Sequence, residues 1–159
     1  MYKENDYVIY GKQVCRIEKI EERDNLEYYI LRPIKDESLK IQIPTTTDKI
    51  RNIISKEDIE KLIEKIPEIE LIDTDKKYLE ATYKQLLQNG THEDLIRIIK
   101  TTYLNNQERL ANKKKLIETD KNYFELAEEC LYEEFSIALG KDIDATRNYV
   151  ISKVDQLVN

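Results

Sequence analysis

The sequence predicts an α+β protein, in which a small, strongly bent antiparallel β-barrel or half-barrel precedes an α-helical bundle. Short runs of alternating apolar and polar residues fill the first 54 positions, and apolar residues recur at helical spacing from Ser55 onward. A charged fraction of 36% with only 3 glycines and 3 prolines is typical of a folded, helix-rich chain. We therefore expect residues 1–54 to form a β-rich domain, residues 55–74 a short helix and connector, and residues 75–159 a helical domain.

Four strand-like runs are visible in the β-rich part. The first two, at residues 7–10 and 14–20, are separated by a break at Gly11 and are typical of a hairpin. The next two, at residues 28–33 and 39–44, each end at a proline, which cannot donate to a strand ladder. Four or five strands this short and closely spaced predict a small barrel or half-barrel.

The helix boundaries are marked by capping residues and by glycines. Ser55 and Thr91 each precede an aspartate by three positions, as N-terminal caps do. Gly90 and Gly140 follow stretches of helical periodicity and predict C-terminal stops. The expected helices begin near positions 55, 75, 91, 119 and 144.

Charge and hydropathy exclude several classes of protein. The formal net charge is −6, and residues 1–72 and 73–159 each carry 13 basic and 16 acidic side chains. Any basic surface must therefore be local, which argues against tight nucleic-acid binding through bulk electrostatics. The apolar runs are far shorter than the roughly 20 residues that cross a bilayer, and the opening segment does not resemble a signal peptide. We expect a cytoplasmic protein without membrane contact.

Residues that could support catalysis or metal binding are scarce. The single histidine, His92, has no second histidine with which to complete a zinc site or a catalytic triad, and we expect it to be a solvated first-turn residue. Cys15 and Cys130 are far apart and are expected to be reduced structural thiols. The acid pairs 128–129 and 133–134 are expected on the exposed face of the fourth helix. The sequence predicts a protein that is not an enzyme and uses no metal, cofactor or small-molecule substrate.

Tyr78 is the aromatic residue that most suggests a binding role. It lies beside Leu79 near the start of the second helix, with Lys76, Lys77 and Lys84 close in sequence. Proteins that contact a distorted minor groove or a fork junction use an apolar or aromatic wedge flanked by basic side chains. The alternative is that Tyr78 packs against the helical bundle.

The order of several segments resembles the CarD family of bacterial transcription regulators. In the first part of the chain these segments are NDYVIYGKQVCRIEKI, YYILRP, IQIP and KIRNIISKEDIEKLI. In the helical part they are YLEATYKQLLQNGTHEDLIRIIKTTYLNNQER and YFELAEECLYEEFSIALG. The resemblance implies a Tudor-like N-terminal domain that binds the beta subunit of RNA polymerase, and a helical domain that contacts promoter DNA at the upstream edge of the transcription bubble. Transcription-repair coupling factors share the β domain, but 159 residues leave no room for their helicase motor, so a stand-alone regulator is expected.

The resemblance also implies where polymerase is contacted. Arg23 matches a basic residue that follows the second strand in the family, and Gln42 occupies a position where well-known members have Arg. The expected contact is strand-edge addition, in which exposed backbone groups pair with the partner and about half of the strand side chains face inward. The candidate residues for this contact are Arg23, Tyr29, Ile30, Lys40, Gln42 and Pro44.

For DNA, the resemblance implies a wedge near the start of the second helix. Well-known members place a Trp there, but this chain has none, and the matching position falls on or next to Leu79, with Tyr78 adjacent. We therefore expect weak DNA binding. The candidate residues are Lys76, Lys77, Tyr78, Leu79, Lys84, Lys113, Lys114 and Lys115.

Two functions remain open at this point. The first is a regulator that binds polymerase and modulates promoter open complexes. The second is a protein–protein adapter that docks on polymerase or another partner without touching DNA, which the excess of acidic residues in the helical part favours. The salt dependence of affinity for forked promoter DNA distinguishes them, because only phosphate contacts give a steep decline.

Overall fold

The computed structural model describes residues 1–158, which form one antiparallel sheet followed by helices. The strands are β1 (Tyr7–Tyr10), β2 (Gln13–Arg23), β3 (Leu26–Pro33), β4 (Ile41–Pro44) and β5 (Ile50–Asn52). The α-helices are α1 (Lys56–Lys65), α2 (Lys76–Asn89), α3 (His92–Ala111), α4 (Glu118–Leu139) and α5 (Ile143–Val158), with a 3-10 helix (Ile66–Glu68) after α1. The predicted α+β class is confirmed.

The sheet is open, so of the barrel and the half-barrel that the sequence predicted, the closed barrel does not form. Its strand order is β4-β3-β2-β1-β5, and β4 and β5 form its two separate edges. Closure requires the two edge strands to pair with each other. These edge strands have only four and three residues, and β5 pairs with β1 instead.

The sheet is nevertheless strongly bent. The chain passes from the β4 edge to the β5 edge within residues 45–49, and Thr47 N–H closes a turn there by donating to Pro44 O at 3.0 Å. Six residue steps reach at most about 20 Å when fully extended. Four strand spacings in a flat sheet amount to about 19 Å. Because the turn shortens the connection, a flat sheet could not be bridged in this way.

Both faces of the sheet bury side chains. One face has its own core, formed by Val8, Cys15, Ile17, Tyr29, Leu31 and Ile43. Ile9 and Val14 alternate with these residues along β1 and β2, so they point to the opposite face. They are only 3% and 2% exposed, which shows that this face is also covered.

The first helix packs into the same core as the later ones. Ile59, Leu62 and Ile63 of α1 share a buried cluster with residues of α2 to α5. The connector after α1 is also fastened, because Ile72 N–H donates to Thr101 Oγ1 at 2.9 Å. In addition, the Lys100 ammonium donates to the carbonyl oxygens of Ile66 and Ile69 at 2.7 and 2.6 Å. Residues 55–74 are thus packed together with the helical domain.

The predicted helix signals are confirmed. Ser55 Oγ accepts a hydrogen bond from Asp58 N–H at 3.0 Å, and Thr91 Oγ1 accepts one from Asp94 N–H at 3.1 Å. Gly90 closes α2 with a φ of 67°, a left-handed conformation that glycine adopts without strain. None of the helices within residues 1–158 combines the length and the apolar composition that crossing a membrane requires.

Candidate functional site

Glu134 of α4 joins the β-rich part to the helical part. Its two carboxylate oxygens accept hydrogen bonds from the two terminal nitrogens of Arg51, each at 2.8 Å. Ile54 N–H donates to Oε2 at 2.9 Å, and His92 Nε2 lies 3.0 Å from Oε1. Because an ionised carboxylate can only accept, His92 Nε2 is the donor. We call Glu134, Arg51 and His92 the carboxylate latch.

The latch holds Glu134 in its ionised form. Its side chain is only 5% exposed, and burial alone would raise its pKa. The hydrogen bonds from Arg51 and His92 outweigh burial and lower the pKa of Glu134 to about 2. The latch is therefore a charged, well-satisfied contact at neutral pH.

Glu133 extends this contact between the two parts. Val14 N–H donates to its Oε1 at 3.3 Å, and the Lys35 ammonium lies 3.6 Å from Oε2. Lys35 also pairs with Glu129, at 2.7 Å. Burial raises the pKa of Glu133, whereas the nearby Lys35 charge lowers it. This carboxylate has fewer strong donors than Glu134.

The expectation of an exposed acidic face on α4 is wrong for both of these residues. Glu133 and Glu134 are only 4% and 3% exposed, because the β-rich domain packs against this side of α4. His92 does lie in the first turn of α3, as predicted, but it is half-buried against Glu134 and not solvated. Helical periodicity reports which face packs on other helices, and it contains no signal for a face covered by a sheet.

Strand β4 offers a free backbone edge. Thr45 N–H donates to Glu27 O at 3.1 Å, and the register pairs Ile43 with Tyr29. Since bonding direction alternates along an antiparallel strand, the N–H and C=O of Gln42 point away from β3. The C=O of Pro44 points the same way but already accepts the turn hydrogen bond from Thr47 N–H, and within residues 1–158 no strand pairs with this side of β4. Gln42 and Pro44 are both exposed, as strand-edge addition requires.

Tyr29 and Ile30 were predicted to contact polymerase, but their side chains are not available for a direct contact. We expected about half of the strand side chains to face inward, but these two neighbours are both buried, at 2% and 0% exposure. The physical reason is that both faces of the sheet are covered at this point, so alternation along β3 does not expose either side chain. The backbone of β3 is also paired on both sides, with β2 and with β4.

Arg23 and Lys40 lie in a basic cluster around Glu21. Lys19 Nζ is 2.7 Å from Glu21 Oε1, and Arg23 Nη2 is 3.6 Å from Oε2. The hydrogen bond from Lys19 lowers the pKa of Glu21, and the charges of Lys40 and Arg23 add to that effect. Sequence reasoning missed Lys19 and Glu21, although positions 19, 21 and 23 share one face of β2 by simple alternation.

A groove of about 540 Å³ lies between the start of α2, the end of α3 and the start of α4. It brings together Lys76, Lys77 and Lys114, which the sequence places in two separate candidate segments. Arg109 also lines it and was not among the predicted residues. We call this site the α2–α3–α4 groove.

The loop that carries Lys114 is held in place by the end of α3. Lys114 N–H donates to Arg109 O at 2.8 Å, and the Arg109 guanidinium donates back to Lys115 O at 2.6 Å. Lys113 adopts a left-handed conformation, with a φ of 57°, which turns the chain between the two helices. Lys113 and Lys115 are exposed beside the groove but do not line it.

Tyr78 projects into solvent near this groove. It is 53% exposed, and the Lys77 ammonium lies 5.0 Å from the centre of its ring. Leu79 is half-buried against the helical core, so the free side chain is that of Tyr78. The alternative that Tyr78 packs against the bundle is wrong. Lys84 is also exposed and lies 3.9 Å from Glu80.

One family model matches the chain. Residues 2–56 match the CarD-like/TRCF RID domain, a segment that contains all five strands, the edge of β4 and the basic cluster around Glu21. No curated protein matches the chain significantly. Residues 1–158 contain no group of three or more His, Cys, Asp or Glu side chains placed to hold a metal ion. The match to the family model identifies residues 2–56 as a CarD-like RNA polymerase-interacting domain.

Proposed function

We propose that the chain is a bacterial transcription regulator that binds the beta subunit of RNA polymerase and modulates promoter open complexes. The match of residues 2–56 to the RNA polymerase-interacting domain carries this proposal. The N-terminal domain binds polymerase, with its bent sheet as a Tudor-like platform, and the helical domain contacts the DNA. The protein acts in the cytoplasm by binding alone, without catalysing a reaction.

The polymerase contact uses the outer edge of β4. A strand of the beta subunit pairs with the N–H and C=O of Gln42, adding a sixth strand to the sheet. Arg23 and Lys40 are exposed and stand close to this edge, where they attract acidic side chains of the partner. The backbone supplies affinity in this arrangement, and the charged side chains supply selectivity.

The DNA contact uses the α2–α3–α4 groove. Lys76, Lys77 and Lys114 line it and bind phosphates. Both α2 and α4 begin at this groove, and neither has a side-chain hydrogen bond that caps its N-terminal end. Their free backbone N–H groups add to the attraction for phosphate oxygens. Glu80 and Glu108 line the same groove and oppose this attraction, which agrees with weak binding.

Modulation of the open complex requires differential binding. If Tyr78 and the groove contact melted DNA but not closed promoter DNA, the protein shifts the population toward the melted state by that difference in free energy. Polymerase binding through β4 places the weak DNA contact at a high effective concentration. A weak DNA contact is therefore sufficient to change the population of open complexes.

The lifetime of promoter open complexes tests this proposal. We expect the wild-type protein to change the lifetime several-fold, because stacking of an aromatic ring on a base is worth about 1–3 kcal/mol. Tyr78→Ala should remove most of this change while leaving polymerase binding intact. Tyr103→Ala is the matched control, since Tyr103 is similarly exposed, at 51%, but lines a separate pocket between α3, α4 and α5. No change in lifetime at saturating wild-type protein would contradict the proposal.

The adapter function is the second candidate, and the acidic side chains in and around the groove favour it. A salt titration of affinity for forked promoter DNA decides between them. For a regulator that contacts phosphates, we expect log affinity to fall steeply with log salt, and Lys114→Ala to reduce the slope by about 1. Lys56→Ala, a change at an exposed lysine outside the groove, should leave the slope unchanged. Undetectable DNA binding at low salt would support the adapter function instead.

A further inference from the structure

We infer that the α2–α3–α4 groove accepts one unstacked base of single-stranded DNA, while its basic rim binds the neighbouring phosphates. This inference rests on the proposed DNA contact and specifies the ligand: a single strand with bases, and not merely a run of phosphates. Four features of the groove carry it: its size, its apolar walls, its polar floor and the position of its charges.

The groove has the size and the walls that a base needs. Its volume of about 540 Å³ lies within the range of roughly 300–1,000 Å³ that is typical of small-molecule sites. The side chains of Ile72, Leu79 and Ile117 line it. Pockets that receive an extruded base hold its flat faces between apolar or aromatic side chains in this way.

The floor of the groove carries groups that can recognise a base edge. Asp120 lines the groove although it is only 2% exposed, and its Oδ1 accepts a hydrogen bond from the Tyr83 hydroxyl at 2.9 Å. Within residues 1–158, the hydrogen-bond partner of this carboxylate is the Tyr83 hydroxyl, which leaves Oδ2 for a ligand. Asn105 is half-buried, its side chain hydrogen-bonds with the Tyr83 hydroxyl, and an amide can both donate and accept.

A buried carboxylate with one free oxygen distinguishes a base from a phosphate. A phosphate would be repelled by Asp120, whereas the exocyclic amino groups of cytosine and adenine donate to a carboxylate or to an amide oxygen. The hydrogen-bonding groups of the floor therefore match a base edge that carries an amino group.

The lysine side chains lie where the sugar-phosphate backbone of the DNA strand would pass. Lys76, Lys77 and Lys114 are all exposed, in contrast to the buried Asp120. Positive charge at the rim and a negative charge at the floor fit a nucleotide whose phosphate stays outside and whose base enters. Tyr78 stands beside this rim and can hold the strands apart at the fork.

Two single strands of equal length distinguish the contribution of the bases to affinity from that of the phosphates. One strand has normal bases of mixed sequence, and the other has abasic residues throughout, so the two present the same number of phosphates. We expect the protein to bind the normal strand about tenfold more tightly at low salt, because only that strand places the apolar faces and the polar edge of a base in the groove. Fluorescence anisotropy with labelled strands measures both affinities. Equal affinities in the wild-type protein would overturn the inference while leaving the DNA contact in place.

Variants in α3 and in the loop that follows it assign the difference to the groove. Asn105→Leu replaces the amide by an apolar group of similar size and should reduce the tenfold preference to about twofold or less. Gln107→Leu makes the same change at an exposed position that does not line the groove, and it should keep the preference. Lys114→Ala should weaken both strands equally. A preference that survives Asn105→Leu would place the base elsewhere, and binding of neither strand would overturn the proposed DNA contact together with this inference.

Discussion

Glu134→Gln is expected to lower the free energy of unfolding by about 3 kcal/mol. The amide keeps the shape of the side chain but loses the charge that pairs with the Arg51 guanidinium at 2.8 Å. It also turns an NH₂ group toward some of the donors that now face a carboxylate. Removing one partner of a buried ion pair costs about 3–5 kcal/mol. We take the lower end because the Arg51 side chain is 47% exposed. Urea-induced unfolding of the two proteins measures the difference.

The free energy of unfolding that Glu134→Gln loses should depend on pH in a predictable direction. The pKa of Glu134 is about 2 in the folded protein, compared with an ordinary value of 4.5. The stability that this residue contributes is therefore fully present above about pH 4.5 and disappears as the pH falls toward 2. Wild type and Glu134→Gln should accordingly converge in stability in this acidic range.

Glu129→Gln provides the matched control. Glu129 lies on the same helix and also pairs with a cation, Lys35, but its side chain is 50% exposed. An exposed ion pair contributes about 0–1 kcal/mol, so this variant should remain close to wild type. Equal losses in the two variants would show that the latch has no special role.

The latch also determines how the two proposed binding surfaces are related. Arg51 belongs to β5 and Ile54 to the segment before α1, and both bind the carboxylate of Glu134 on α4. Val14 of β2 adds a further hydrogen bond between the sheet and α4, to Glu133. A sheet held at these points cannot rotate freely on the helices. Binding of polymerase at β4 would therefore place the α2–α3–α4 groove in one orientation relative to the promoter.

Local signals in the sequence predicted most of the secondary structure. The caps at Ser55 and Thr91 and the stop at Gly90 depend on side chains or conformations within a few residues, so they can be recognised without the fold. The edge position of β4 and the open sheet could not be recognised in this way. Strand order depends on which segments pair across the whole domain, and alternation within a strand does not encode it.

In the candidate sites, too, features encoded by neighbouring residues were predicted, and features that depend on the fold were not. Lys76, Lys77 and Tyr78 were found because an aromatic residue among lysines is a local pattern. The two parts of the groove lie more than thirty positions apart, and only the packing of three helices brings Lys114 to Lys76. Glu134 was misassigned for a related reason. A buried acid has the same appearance in sequence as an exposed one until its partners are known.

Gln42→Pro is expected to weaken polymerase binding at least tenfold while leaving the fold intact. The N–H of Gln42 points away from β3, so its removal costs no hydrogen bond within the sheet, and proline is tolerated at such edge positions. An added strand would lose one backbone hydrogen bond and would meet the proline ring, and a loss of about 1.4 kcal/mol already corresponds to tenfold. Titration with purified RNA polymerase measures the affinity, and thermal unfolding verifies the fold.

Gln42→Ala is the control that separates backbone from side chain. It keeps the N–H and removes only the amide group, so it should bind within about twofold of wild type if strand addition supplies the affinity. A loss as large as that of Gln42→Pro would instead assign the contact to the Gln42 side chain. If Gln42→Pro binds polymerase as wild type does, the edge of β4 is not the docking surface. The partner would then have to be sought on the exposed basic cluster formed by Lys19, Arg23 and Lys40.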